Sequence, residues 1–239
     1  MEQYYKIAGL TVRLDTFGHT EHLLIPYRVK PTDTFDFEII PDRKFVEENG
    51  PGLTADQKEA LATYRVFFIK LLDYDGMLLH SSAVMKDGKA YLFTANSGTG
   101  KSTHTKIWRQ VFGDESVRVI NDDKPALRYE NGSWYVYGTP WSGKSDFNLN
   151  VRVPLAGICI LQRGEENTIT RASVADAVAD IFLQTARPKN ADVRMKVLGL
   201  LDKLLSQVPV WKLRCNMEPE AAIVAYEAMS GQKYEGDWK

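Results

Sequence analysis

Ala90-Tyr91-Leu92-Phe93-Thr94-Ala95-Asn96-Ser97-Gly98-Thr99-Gly100-Lys101-Ser102-Thr103 is the stretch that decides how this chain is read. Its first half is an apolar, β-branched and aromatic run of strand length. Its second half is polar and carries two glycines one residue apart. Glycine reaches backbone angles that other residues avoid, so Gly98 and Gly100 let successive N–H groups converge on one anion. Ile107, Trp108, Val111 and Phe112 then repeat as one apolar helical face, and Gly113 stands where such a helix would end. A phosphate held by residues 96–103 (Asn96, Ser97, Gly98, Thr99, Gly100, Lys101, Ser102 and Thr103) would therefore sit on a helix N-terminus. Lys101 reaches the terminal phosphates as a point charge, and the Ser102 hydroxyl is placed to ligate magnesium. This is the Walker A arrangement with one departure, since Ala95 stands where the pattern opens on glycine.

A second segment, Gly138-Thr139-Pro140-Trp141-Ser142-Gly143-Lys144-Ser145, matches G-x-x-x-x-G-K-[ST] in full. Its context argues against a phosphate loop. Pro140 has no N–H to donate, Trp141 is bulky where backbone must approach phosphate, and residues 146–150 are a poor helix start before Pro154. The segment is better suited to a substrate: Trp141 offers an aromatic wall, Lys144 a cation, and Ser142-Gly143 flexibility. The strand at 117–120 ends in Asn121-Asp122-Asp123. Two carboxylates at a strand end, after a phosphate loop and its helix, stand where a magnesium ion needs them, so Ser102, Asp122 and Asp123 form the candidate metal set. Lys124 is a further candidate for holding an anionic substrate.

The 239 residues suffice for one enzyme-sized unit with a substantial core. Lys+Arg 30 against Asp+Glu 31 gives a net charge of −1, and no basic stripe interleaved with aromatics is present, which argues against nucleic acid as a partner. No apolar run approaches the roughly 20 residues of a membrane span. Met1-Glu2-Gln3-Tyr4-Tyr5-Lys6 lacks the basic-then-apolar pattern of a leader. The two cysteines, Cys159 and Cys215, are far apart and lack metal-site spacing, which suits a reducing cytoplasm.

Along the chain, residues 5–14, 23–29 and 35–40 read as strands, and His19 and His22 as solvated residues of a hairpin turn. Residues 47–52 break the chain. Thr54 and Gln57 form a capping box for a helix to about Leu72, with Leu61, Tyr64, Phe68 and Leu72 as its inward stripe. Hairpins follow at 78–94, about Lys86-Asp87-Gly88, and at 126–137, about Asn131-Gly132. The apolar run 155–161 predicts a strand covered on both faces. Ser173 and Asn190 cap helices to about Ala186 and Gln207, a strand spans 210–213, a last helix spans 218–229, and the tail from Gly231 is expected to be mobile. The expected fold is α/β: a mixed sheet carrying a P-loop, with residues 1–75 as a β-rich portion bearing one helix, and 76–239 as the core with C-terminal helices.

Three landmarks together resemble the HPr kinase/phosphorylase-like kinases, whose nucleotide core is similar to that of ATP-dependent phosphoenolpyruvate carboxykinase. They are Ser97-Gly98-Thr99-Gly100-Lys101-Ser102, the strand-terminal Asp122-Asp123, and His80 upstream. The likeness covers roughly residues 76–162. Leu79-His80, Asn121-Asp122-Asp123-Lys124-Pro125 and Gly138-Thr139-Pro140-Trp141-Ser142-Gly143 are similar to smaller, HPr-kinase-like bacterial proteins. The signature segment that follows the core of HPr kinase proper is not found here. The resemblance implies in-line transfer of a phosphoryl group from ATP, with magnesium, to a serine-like hydroxyl of a small molecule, peptide or small protein. Lys101, Asp122 and His80 would be the catalytic residues, with Asp122 as the base and His80 orienting a carboxylate or the phosphate. The carboxykinase relatives use an aspartate here as a metal ligand, which keeps Asp122 in both sets. A non-catalytic nucleotide-binding regulator and a carboxykinase-like enzyme are the alternatives. A homo-oligomer is compatible with everything read here.

Overall fold

Asp87-Gly88 and Asn131-Gly132 take positive φ at both positions, 52° and 70° in one pair, 50° and 86° in the other. That combination makes a two-residue turn whose twist matches the strands it joins. Both hairpins read from the sequence are therefore present, and they frame the chain. The computed structural model describes residues 3–16, 18–49, 52–186 and 188–236; of the break expected at 47–52, positions 50 and 51 lie outside the described residues.

In chain order the elements are β1 (Tyr4–Ile7), β2 (Leu10–Leu14), α1 (Glu21–Leu24), β3 (Arg28–Val29), β4 (Phe37–Ile39), α2 (Arg43–Asn49), α3 (Ala55–Leu71), β5 (Gly76–Leu78), β6 (Ser81–Lys86), β7 (Lys89–Thr94), α4 (Lys101–Phe112), β8 (Arg118–Asn121), β9 (Ala126–Glu130), β10 (Ser133–Tyr137), β11 (Arg152–Arg163), β12 (Thr168–Arg171), α5 (Val174–Leu183), α6 (Ala191–Gln207), β13 (Val210–Cys215) and α7 (Glu220–Ser230). Among the described residues the first strands form a small sheet in the order β3-β1-β2-β4. The rest form a nine-stranded mixed sheet, β5-β9-β10-β11-β7-β6-β8, with β13 on β11 and β12 on β13. β7 runs parallel to β11 and antiparallel to β6, and β11 runs parallel to β13.

Alternation along the central strands explains why helices cover both faces. On β7, Ala90 and Leu92 enter one apolar cluster, and Tyr91 and Phe93 the other; on β11, Ile158 and Ile160 oppose Cys159 and Leu161 in the same way. The run 155–161 is thus a strand buried on both sides, as its unbroken apolarity requires. α4 and α7 supply Ile107, Trp108, Ala225 and Tyr226 to one side. α5 and α6 supply Ala177, Ile181, Leu201 and Leu204 to the other, in a cluster that continues into the small sheet through Tyr5, Ile7 and Val12.

Five expectations change. Residues 1–75 carry α1 and α2 besides the expected α3, and α2 runs to Asn49, into the segment expected to break the chain. Residues 5–14 are two strands, split where Ala8 and Gly9 turn at φ 50° and 79°. Residues 23–29 are mostly helical, because Pro26 starts a 3-10 turn at Ile25–Tyr27 and only Arg28–Val29 reach a ladder. His22 accordingly sits on α1, and His19 lies 4.0 Å from Asp56. The α3 capping box forms, and Phe68 and Leu72 of the expected stripe are buried, but Ala62, Thr63, Phe67 and Leu71 share the inward face while Leu61 and Tyr64 are only half-buried. Polar groups hide that face: buried Glu59 accepts the His19 and Thr20 amides at 2.7 Å each, and Thr63 bonds back to the Glu59 carbonyl at 2.9 Å. The tail after Gly231 is tied down as far as Tyr234, whose amide donates to Glu227 and whose ring lies 5.3 Å from that of Phe112. Among the described residues no helix is long and apolar enough to cross a membrane.

Candidate active site

β7 ends at Thr94 and α4 begins at Lys101, so residues 95–100 are the loop between them. Gly98 and Gly100 take φ 78° and 121°, angles open to glycine alone among the common residues here. The first amides of α4 have no carbonyl ahead of them within the helix, and the helix dipole adds partial positive charge at the same place. Two cations hold the loop's carbonyls, Lys101 from inside and Arg163 from the exposed side. The Lys101 ammonium donates to Ala95 O at 3.0 Å and Asn96 O at 3.5 Å, and Arg163, at the end of β11, donates to Gly98 O at 2.6 Å. Ser102 and Thr103 stand exposed on the first turn of α4, beside exposed Asn96 and Ser97.

Opposite this loop, β8 delivers Asn121 fully buried. Its carboxamide oxygen accepts the amides of Asp123 and Lys124 at 3.0 and 2.7 Å, an Asx-type turn that fixes the direction of the two aspartates. Its amide nitrogen donates to Thr139 O at 2.9 Å, which ties the second Gly-Lys-Ser loop to the same turn. Asp122 accepts a 2.5 Å hydrogen bond from Ser82. Asp123 Oδ1 lies 3.2 Å from Lys124 Nζ and 3.4 Å from His80 Nε2. Gly143, at φ 70°, rests against Asp123: a Cβ there would stand 3.1 Å from Asp123 Cβ, so a side chain would need Asp123 to give by a few tenths of an ångström, in a backbone conformation that disfavours one.

Charge in this cluster is interdependent. Burial lowers the Lys101 pKa, Asp123 and Asp122 draw it back up, and Lys124 repels it. His80 is lowered first by burial and then by Lys124 and Lys101, against the opposing pull of Asp123 and Gln184. It is therefore neutral at neutral pH. Its Nδ1 lies 2.9 Å from Gln184 Oε1, which places the ring proton on Nδ1 and leaves a lone pair on Nε2.

The fold thus brings Lys101, His80, Asp122, Asp123 and Lys124 to one end of the sheet, with Ser102 on the neighbouring helical turn. Trp141 departs from expectation. It is 7% exposed, its ring 4.9 Å from Phe67 and its Nε1 donating to Thr63 at 3.1 Å. It anchors the second loop to α3 from below and presents no aromatic wall to solvent; Lys144, at the tip, is exposed. Four contributors escape the sequence reading: Ser82, Asn121, Arg163 and Gln184. Asn121 could have been found, since Asn before Asp-Asp at a strand end is an Asx-turn signal. Arg163 and Gln184 carry no local signal, as each arrives from an element far along the chain.

Magnesium takes few protein ligands and leaves the rest of its octahedron to phosphate and water, so the absence of a cluster of three or more donors among the described residues does not count against it. Asp122 and Asp123 each use Oδ1 in the contacts above and keep Oδ2 outside them. The donor set, two carboxylates and a hydroxyl, fits the ion.

A family model described as SynChlorMet cassette protein ScmC matches residues 58–220. The chain belongs to the ScmC family. The ScmC match spans the loop, both aspartates, His80 and the second Gly-Lys-Ser loop, and begins after β1–β4. A search of curated proteins returned no match. Among solved structures, the chain is similar to the Hpr(Ser) kinase/phosphatase from Coxiella burnetii at 12% identity, over 64% of this chain and 95% of that one, with a TM-score of 0.34. So low a score fixes no residue correspondence.

Proposed function

We propose that this ScmC-family chain is a magnesium- and ATP-dependent phosphotransferase acting on a serine-like hydroxyl of a small molecule, peptide or small protein. One observation carries the reading: a glycine loop opening a helix, with Lys101 inside it, faces a strand-end carboxylate pair whose direction is fixed by a buried asparagine. A structural turn needs neither a buried lysine nor two aspartates held at its mouth.

Magnesium, when bound by Asp123 and Ser102, supplies charge neutralisation at the phosphates. The loop amides and Lys101 bind the phosphate chain and hold it in line. Asp122, steadied by Ser82, takes the proton of the acceptor hydroxyl as its oxygen forms the new P–O bond and the bond to the ADP oxygen breaks. Asp123, gripped by Lys124, stays directed at the phosphates. Lys124 and the exposed Lys144 receive the acceptor's anionic groups beside the second loop. Trp141 holds that loop's floor.

The test is a screen of free amino acids, serine-containing peptides and small proteins with ATP and magnesium, read as phosphate transferred to the acceptor. Transfer that survives in Lys101→Ala at the wild-type rate would refute the site.

A further inference from the structure

A cleft of about 490 Å³ opens beside the glycine loop, on the side away from the aspartates. Gly98, Thr99, Gly100 and Thr103 form its phosphate-side rim, and Ile107, Leu161, Cys215 and Met217 its apolar walls. None of His80, Asp122, Asp123 or Lys124 lines it. Its volume lies within the roughly 300–1,000 Å³ of small-molecule sites.

Two details show a surface left for a ligand. Met217 is 76% exposed at the cleft's edge, an unbranched apolar side chain with nothing to cover. His104 also lines the cleft and is 3% exposed. Its Nε2 accepts a hydrogen bond from Trp108 Nε1 at 3.1 Å, so the neutral ring carries its proton on Nδ1. Nδ1 is buried and has no partner among the described residues.

We infer that this cleft receives the nucleoside of the triphosphate, with the base between Ile107 and Met217. The inference rests on the phosphate reading of residues 95–102 and deepens it: the phosphates cross the loop, the terminal one toward Asp122-Asp123 and the nucleoside away from them. Apolar walls with Gln162 and Asn216 also in the lining suit a flat aromatic ring that carries polar edge groups.

Calorimetry with ATP and with inorganic tripolyphosphate, each with magnesium, separates the two readings. Wild type is expected to bind ATP at least tenfold more tightly than tripolyphosphate. Met217→Asp, at an exposed position that folding does not need, should weaken ATP about tenfold and leave tripolyphosphate within twofold. In ¹⁵N spectra, ATP should shift the His104 Nδ1–H resonance and tripolyphosphate should not. Equal wild-type affinities, an unchanged ATP affinity in Met217→Asp, or no His104 shift with ATP would each overturn the cleft while leaving the phosphate loop standing. Binding of neither ligand would overturn both.

Discussion

His80 and Gln184 are joined twice: the His80 amide donates to the Gln184 carbonyl at 2.9 Å, and the ring Nδ1 lies 2.9 Å from the Gln184 side-chain oxygen. The other end of the same carboxamide donates to Asn96 Oδ1 at 3.1 Å. One residue at the C-terminal end of α5 thus spans the histidine and the glycine loop. Gln184→Met keeps the length and removes both side-chain contacts. Transfer should fall about tenfold, the worth of one or two hydrogen bonds, with ATP affinity within a few-fold. The Gln184 contact raises the His80 pKa, so the His80 titration followed by NMR should move lower in the variant. An unmoved titration would mean the contact is idle.

Lys101→Ala should weaken ATP binding by at least tenfold, because it removes the cation enclosed by the loop. Lys144→Ala, at an exposed tip, should change it by no more than a few-fold. Calorimetry giving the reverse order would make the second Gly-Lys-Ser loop the nucleotide site.

Asp122→Asn should lower transfer by about 10²–10⁴-fold while ATP still binds, since the amide keeps the shape and loses the proton acceptor. A nucleotide sensor has no use for that group. Full transfer in the variant would remove Asp122 as base, and a parallel loss of ATP binding would assign it to the metal instead.

Trp141→Ala should cost about 3–5 kcal/mol in denaturant unfolding, as expected for a large ring removed from a packed site against Phe67 and Tyr64. Acceptor recognition should respond to Lys144→Ala without any loss of stability. If Trp141→Ala unfolds like wild type, the ring is not part of the core.

His104 is fully enclosed, and burial alone pushes its pKa down to about 3. In the unfolded chain a histidine titrates near 6.5, so below that pH the unfolded state binds the proton and the folded state does not. Stability should therefore be complete above about 6.5 and fall by up to about 1.4 kcal/mol per pH unit as acid is added, down to about 3. His104→Phe should flatten that slope in urea titrations at pH 4 to 7, and an unchanged slope would place the titration elsewhere.

Most of the central architecture is legible because local chemistry and fold agree there. Thr54 with Gln57, Ser173 and Asn190 cap the helices their side chains announce, and the Asp-Gly and Asn-Gly turns close the hairpins. The illegible parts are those where tertiary contacts overrule pattern. Glu59 and Thr63 put polar atoms on the buried face of α3, so its stripe reads correctly at Phe68 and Leu72 and is misplaced at Leu61 and Tyr64. β12, Thr-Ile-Thr-Arg, has a single apolar residue and exists because β13 offers an edge. Trp141 looks like a binding residue beside Gly143-Lys144, and only α3, far upstream, reveals what it packs on. Lys101 and Asp122-Asp123 come together because strand ends gather at one rim; the hydrogen bond Ser82 gives Asp122, and those joining Gln184 to His80 and Asn96, cross between elements and leave no spacing to read.

β11 is hydrogen-bonded to β7 along one edge and, along the other, first to β10 and then to β13. As the chain leaves the ribosome, β6 pairs at once with β7, but the second edge of β7 stays bare until β11 has been made, and the far half of β11 until β13 follows. The strand that carries the glycine loop thus waits for β11 before its second edge is sheltered. A nascent or truncated chain ending before residue 152 would expose Tyr91 and Phe93 on an open apolar edge, a template for sticking to its own copies. Shortening this protein from its C-terminal side should therefore produce aggregates rather than a smaller working core.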